Sequence, residues 1–140
     1  MSSASRRKAR LVAFKALYAI DVGGQRTEEA LESALAEAQL TPDNRIFAEA
    51  LVRGTMEKRS DIDTRLEGLA RDYSLDRMAA IDRTLLRLGA YEILFHEDTP
   101  TAVAINEVVS VAKKYSTAES GKFINGILGE LDRRKDGPDS

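Results

Sequence analysis

The segment from Arg77 to His96 carries apolar residues around almost its whole circumference when it is drawn as a helix at about 100° per residue. Only Arg83 and Arg87, four residues apart, form a polar strip. A helix with so narrow a polar face needs other elements around it, so this segment predicts a central helix. Almost no stretch elsewhere alternates with period two, which predicts an all-α fold without a β-sheet.

Six further helices follow from the spacing of apolar residues between glycine, proline and capping residues. The first helix should end at Gly23–Gly24, and the second should start at a Thr27 cap and end at Thr41–Pro42. The third should start at Asp43 or Asn44, and Asp76 should cap the central helix. The last two helices should start at Thr99–Pro100 and at a capping box over Ser116–Glu119. We find no internal repeat and no long linker.

The bulk composition is that of a globular protein. The chain has 140 residues, of which 43% are hydrophobic and 31% are charged. This length accommodates one domain, or two small helical subdomains that share a core. We therefore expect a compact helical bundle over residues 1–132, as one domain or two subdomains, and a polar, disordered tail over residues 133–140.

Several classes of function lack the residues that they need. No cysteine is present, which excludes disulfides, thiol catalysis and cysteine-ligated zinc. The single histidine, His96, falls where a helix should end, which favours a structural role over a catalytic one. Neither a phosphate-binding glycine loop nor a calcium loop occurs, so we predict no enzyme, no cofactor and no metal site. No apolar run suits a signal peptide or a membrane span, so we expect a cytoplasmic protein.

The first helix has basic residues where a helix prefers anions. Residues 1–15 contain five of the 21 basic residues and none of the 23 acidic ones. Four of the five crowd the first turns, where each exposed cation opposes the helix dipole by about 0.3–1 kcal/mol. A solvated, frayed terminus would have this composition. The alternative is a site for an anionic partner.

A second stripe on this helix combines aromatic residues with cations. Leu11, Phe14 and Tyr18 lie opposite the main apolar face, and they are flanked by Arg7, Arg10 and Lys15. Such rings can stack on unpaired bases while the cations hold phosphates. The competing interpretation is packing within the protein, which we favour for Leu11 and Phe14. For Tyr18 both interpretations stay open, because its hydroxyl needs a polar partner or water.

Three glycines interrupt the last helix, within Gly121–Leu131. Each costs up to about 1 kcal/mol relative to alanine. Close helix packing would explain Gly126 and Gly129. Gly121 falls in the first turn beside Lys122, where free backbone N–H groups can bind an anion.

Four blocks of the chain resemble the bacterial transcription antitermination factor family NusB. They are RRKARLVAFKALYAIDV, DRTLLRLGAYEILF, PTAVAINEVVSVAKKYS and GKFINGIL, and they occur in order between about residues 6 and 131. The resemblance implies an all-α fold of two helical subdomains. It also implies binding to the boxA element of ribosomal RNA leaders together with NusE, a small-subunit ribosomal protein, in a complex that helps RNA polymerase read through terminators.

The resemblance assigns candidate residues by position. Those implied for RNA are Arg6, Arg7, Lys8, Arg10, Lys15, Tyr18, Lys122, Phe123 and Asn125. Those implied for NusE are Asp82, Arg83, Arg87 and Glu119, of which Glu119 is expected near both ligands. Glu92 belongs to the same central-helix block. Tyr73 departs from the family pattern, in which many relatives have tryptophan.

Three other functions compete with this one. Related helical modules are fused to ribosomal RNA cytosine methyltransferases, but those enzymes need a large α/β domain and a catalytic cysteine, which this chain lacks. A homodimeric interaction module could bury the same basic and aromatic surface. A general RNA-binding protein would bind without boxA specificity, and a scrambled RNA would distinguish it.

Overall fold

The computed structural model describes residues 3–70, 74–96 and 98–135, and this part of the chain is helical without a strand, as predicted. The α-helices are α1 (Ser3–Gly23), α2 (Thr27–Ala36), α3 (Pro42–Glu57), α4 (Arg59–Leu69), α5 (Ala80–Phe95), α6 (Thr101–Tyr115) and α7 (Ala118–Arg134), with a 3-10 turn at Leu75–Arg77. Tyr73 and the end of the predicted tail, 136–140, lie outside the described residues. No helix of the described ranges is both long and apolar enough to cross a bilayer.

The chain divides into two compact units, in line with the two predicted subdomains. Unit 1, Met1–Glu57, is built around α1, which packs on both α2 and α3. Ala9, Ala13 and Ala16 of α1 are fully buried, and their small side chains allow the other helices to approach closely. The interior is completed by Ala30, Leu31, Leu35, Phe47, Ala48, Leu51 and Val52.

Unit 2, Lys58–Ser140, has α5 at its centre. This helix contacts α4, α6 and α7, and every residue from Thr84 to Ala90 is buried. Gly89 permits a close approach of α5 and α7, because a Cβ there would lie 2.6 Å from Cδ1 of Leu128 on α7. The prediction of a central helix is therefore confirmed for unit 2.

The Thr41–Pro42 signal was assigned to the wrong helix. It was predicted to end the second helix, but α2 stops at Ala36 and Pro42 is the first residue of α3. The hydroxyl oxygen of Thr41 accepts a hydrogen bond from the backbone N–H of Asn44 at 3.4 Å. This is the geometry of an N-cap followed by proline, and proline suits the first helical position because it has no N–H to leave unpaired.

Two other predicted caps are also wrong. Thr27 is the first helical residue of α2 rather than its cap, and no side chain caps that helix. The central helix begins at Ala80 rather than Arg77, because Asp76 belongs to the 3-10 turn and Met78 has an extended backbone with ψ of 153°. A helix cannot continue through an extended residue.

The start and end of α7 also differ from prediction. The predicted capping box over Ser116–Glu119 is wrong, because the N-cap is Thr117, whose hydroxyl accepts from the backbone N–H of Ser120 at 3.0 Å. At its other end α7 continues through Arg134, where the polar tail was already expected.

Candidate nucleic-acid interface

Several exposed cations of unit 1 lie along α1. Arg7, Lys8 and Lys15 are exposed, and Arg6 is half-buried. Because the small residues of the same helix face the core, the cations face away from it. They remain accessible to a phosphate backbone.

Arg6 and Arg10 turn towards α3 instead. The Cζ atom of Arg6 lies 4.1 Å from the ring centroid of Phe47, and that of Arg10 lies 5.1 Å from the same centroid. Both distances are within the range of a cation–π interaction. Arg10 is only 4% exposed, so its position favours packing within unit 1 over the predicted phosphate contact.

The aromatic stripe of α1 separates into a buried and a half-buried part. Phe14 is 6% exposed, which confirms the packing interpretation for that ring. Tyr18 is half-buried, and its ring centroid lies 6.1 Å from that of Phe14. Leu11 is also half-buried. Tyr18 therefore keeps an accessible surface on which a base could stack, and the buried ring of Phe14 lies beside it.

In unit 2 the predicted RNA-binding block begins α7. Lys122 and Asn125 are exposed, Phe123 is half-buried, and Ile124 anchors this turn with no exposed surface. The block thus presents a cation, an amide and part of a ring from one rigid helix.

The packing explanation given for two of the glycines is wrong. Nothing lies within 4 Å of a Cβ added at Gly126, and at Gly129 the only such atom is Nη1 of Arg133 on the same helix. Gly121 is the glycine of α7 that meets another helix, since its Cβ would lie 3.1 Å from Cγ of Lys113 on α6.

Two of the residues predicted to bind NusE are used inside unit 2. Arg87 is 8% exposed, and its Nε and Nη2 donate to the two carboxylate oxygens of Asp63 on α4 at 2.8 and 3.0 Å. Nη1 of Arg83 donates to the backbone carbonyls of Leu75 and Met78 at 2.9 and 3.3 Å, which holds the 3-10 turn against α5. These contacts favour structural roles for both arginines.

The two acidic candidates for the NusE site are placed differently. Glu119 is exposed in the first turn of α7. Asp82 is half-buried, and its Oδ2 accepts a hydrogen bond from the hydroxyl of Ser120 at 3.2 Å. Its Oδ1 is buried without a hydrogen-bond partner. Glu92 is 1% exposed and belongs to the interior.

Surface ion pairs lower the pKa of two carboxyl groups elsewhere. Hydrogen bonds from Arg53 hold the pKa of Glu28 below its usual range in unit 1. In unit 2, hydrogen bonds from Arg133 and then Arg134 lower the pKa of Glu130. These arginines are thus already paired with carboxylates.

An all-helical fold with clustered cations on the outer side of its first helix is typical of a small protein that binds an anionic polymer. The sequence profile of the NusB family matches residues 7–133, and the chain belongs to that family.

Comparisons with individual proteins agree with this membership. A transcription antitermination protein NusB of Syntrophomonas wolfei is 39% identical over 133 residues, which cover 95% of this chain and 99% of the relative. It is named as an antitermination protein rather than as an enzyme, in agreement with the prediction that this chain is not an enzyme.

Solved structures share the fold. T. maritima NusB superimposes with a TM-score of 0.86 at 38% identity, covering 91% of this chain and 90% of the other. A crystal structure of antitermination factors NusB and NusE in complex with dsRNA matches with a TM-score of 0.88 at 28% identity, covering 94% of this chain and 98% of the other.

Proposed function

We propose that this protein is a transcription antitermination factor that binds the boxA element of ribosomal RNA leaders together with NusE and promotes read-through by RNA polymerase. The observation that carries the proposal is membership of the NusB family over residues 7–133. The likeness to a NusB chain described in complex with NusE and dsRNA supports RNA and NusE as partners. A cytoplasmic location goes with this proposal, because the nascent transcript is made there.

The exposed cations of α1 supply the phosphate contacts. Arg7, Lys8 and Lys15 neutralise phosphates and release counterions from the RNA, which provides affinity without sequence information. Sequence is read by groups that meet the bases. Tyr18 and Phe123, both half-buried, are the candidates for stacking, and the exposed Asn125 is a candidate for hydrogen bonds to base edges.

NusE contacts unit 2 through acidic groups. Of the four residues assigned to NusE, Arg83 and Arg87 make hydrogen bonds within unit 2. Glu119 is exposed, and Asp82 keeps one carboxylate oxygen without a hydrogen-bond partner, so we retain these two. The buried Oδ1 of Asp82 lacks a hydrogen-bond partner, and a partner donor would satisfy it.

An electrophoretic shift tests the proposal directly. We expect boxA RNA to bind more tightly than a scrambled RNA at one stated salt concentration, and NusE to tighten the boxA complex. Equal affinity for both RNAs would instead indicate a general RNA-binding protein. A homodimer that dissociates on adding RNA, seen by size-exclusion chromatography, would indicate that the same surface also serves self-association.

The salt dependence identifies the phosphate contacts. Each contact with a single strand contributes about 0.7 to the slope of log K against log salt, so Arg7→Ala/Lys8→Ala should flatten the slope by up to roughly 1.4. The matched control is Arg26→Ala/Arg45→Ala, which removes two exposed arginines of the same unit. An unchanged slope in the α1 variant would contradict the assignment.

A further inference from the structure

Helix α3 holds the side chain of Arg6, one of the basic residues of α1, in place. Nη1 of Arg6 donates to Oδ1 of Asn44 at 3.3 Å, while its guanidinium lies 4.1 Å from the ring of Phe47. Asn44 and Phe47 are three residues apart, so they lie on the same face of α3. Both are buried, at 1% and 5% exposure. We call this pair the α3 clamp.

The amide of Asn44 is itself oriented. Its Nδ2 donates to Oγ1 of Thr41 at 3.1 Å, and the same hydroxyl accepts from the backbone N–H of Asn44. With Nδ2 directed towards the cap of α3, Oδ1 is the oxygen left to receive Arg6. The N-cap of α3 therefore also orients Oδ1 of Asn44, which accepts the hydrogen bond from Arg6 of α1.

The clamp leaves Arg6 able to bind another anion. A guanidinium has five N–H donors, and Asn44 accepts from one nitrogen. Asn44 is neutral, so the charge of Arg6 is not cancelled, in contrast to Arg87 beside Asp63. Arg6 is half-buried, so part of its surface faces solvent. An arginine held this way loses less rotamer freedom on meeting a phosphate.

We propose that Asn44 and Phe47 are positioning residues of the RNA site: they pre-orient Arg6 of α1 for a phosphate of the bound RNA. The inference rests on the proposed function. It goes beyond it by assigning a role in RNA affinity to two buried residues of α3 that do not themselves reach the RNA.

A double-mutant cycle between Arg6→Ala and Asn44→Ala tests the mechanism. The probe is single-stranded boxA RNA, and the measured quantity is its Kd at one stated salt concentration. We expect Asn44→Ala to weaken binding by about three- to fivefold when Arg6 is present, because the freed side chain must then be ordered on binding. In the Arg6→Ala background the same change should have no effect, because its target is gone. An equal loss in both backgrounds would overturn the proposal.

A second pair of variants covers the case in which Asn44→Ala does not fold. Phe47→Leu keeps a buried apolar side chain but removes the aromatic face, whereas Phe47→Tyr keeps that face. We expect Phe47→Leu to weaken RNA binding and Phe47→Tyr to retain wild-type affinity. Equal RNA affinity of the two folded variants would contradict a role for the ring.

The control separates positioning from stability. Val52→Ala also shortens a fully buried side chain of α3. Valine has no aromatic ring or amide with which to hold Arg6. This variant should lose stability and retain RNA affinity. If it loses as much affinity as Asn44→Ala, the clamp acts only through stability and the inference fails. Failure of the wild-type chain to bind boxA RNA would instead refute the proposed function itself.

Discussion

Gly89→Ala is the sharpest test of the packing in unit 2. The added methyl group would lie 2.6 Å from Cδ1 of Leu128 and 3.3 Å from Cγ2 of Val108. Leu128 has no exposed surface and Val108 has 1%, so neither can move into solvent. The cost of overpacking such a site is about 1–3 kcal/mol. Replacing a helical glycine by alanine returns about 0.8–1.0 kcal/mol, so we expect a net loss of up to about 2 kcal/mol.

Gly126→Ala provides the matched control. It makes the same chemical change in the interior of a helix of the same unit, but nothing lies within 4 Å of the added Cβ. We expect a gain of about 0.8–1.0 kcal/mol. Because the propensity gain is common to both variants, the difference between them isolates the overpacking cost of about 1–3 kcal/mol.

Urea unfolding followed by far-UV circular dichroism measures both variants, provided that the slopes agree with wild type. In a Leu128→Ala background the methyl group has space, so Gly89→Ala should become neutral or stabilising. Equal stability of Gly89→Ala and Gly126→Ala would refute the close approach of α5 and α7.

Three further outcomes are expected. Leu85→Ala should cost roughly 2–5 kcal/mol of unfolding free energy in urea denaturation, because the side chain is fully buried; a loss below about 1 kcal/mol would mean that α5 is not central. Asp63→Ala should cost up to about 3 kcal/mol by the same assay, since it leaves Arg87 buried without its carboxylate, whereas an unchanged stability would argue against the ion pair. Carboxyl NMR should find the pKa of Glu28 below its usual range, with a return towards that range in Arg53→Ala. The stabilisation of the fold by this ion pair is present above the unfolded-state pKa of Glu28 and is lost as the pH falls through its lowered folded-state pKa.

Periodicity predicted the helices well because each buries an apolar stripe. The central position of α5 followed from its narrow polar strip, and Leu85 and Leu86 are indeed fully buried. The helix ends were predicted less accurately. A pair such as Thr41–Pro42 can stop one helix or start the next, and only the hydrogen bond to Asn44 decides between the two.

The sequence assigned each candidate residue to a helix but did not predict the direction of its side chain. Helical spacing places Arg6, Arg7 and Arg10 on one segment, but it does not reveal that Phe47 draws two of them inwards. That ring lies some forty residues away in sequence, and its meeting with α1 depends on how α3 packs. Arg87 was assigned to NusE by position, and the sequence did not reveal that its guanidinium pairs with Asp63 on α4.

The burial of Ala9, Ala13 and Ala16 determines the thermodynamic character of any binding on α1. The helix is ordered by the folding of unit 1, so its conformational entropy is already lost before a ligand arrives. Association then lacks the large negative heat-capacity change that accompanies coupled folding and binding, and calorimetry at several temperatures should report a small one. Amide protons of the buried middle of α1, from Ala13 to Leu17, should likewise exchange only through opening of unit 1 as a whole, with or without RNA.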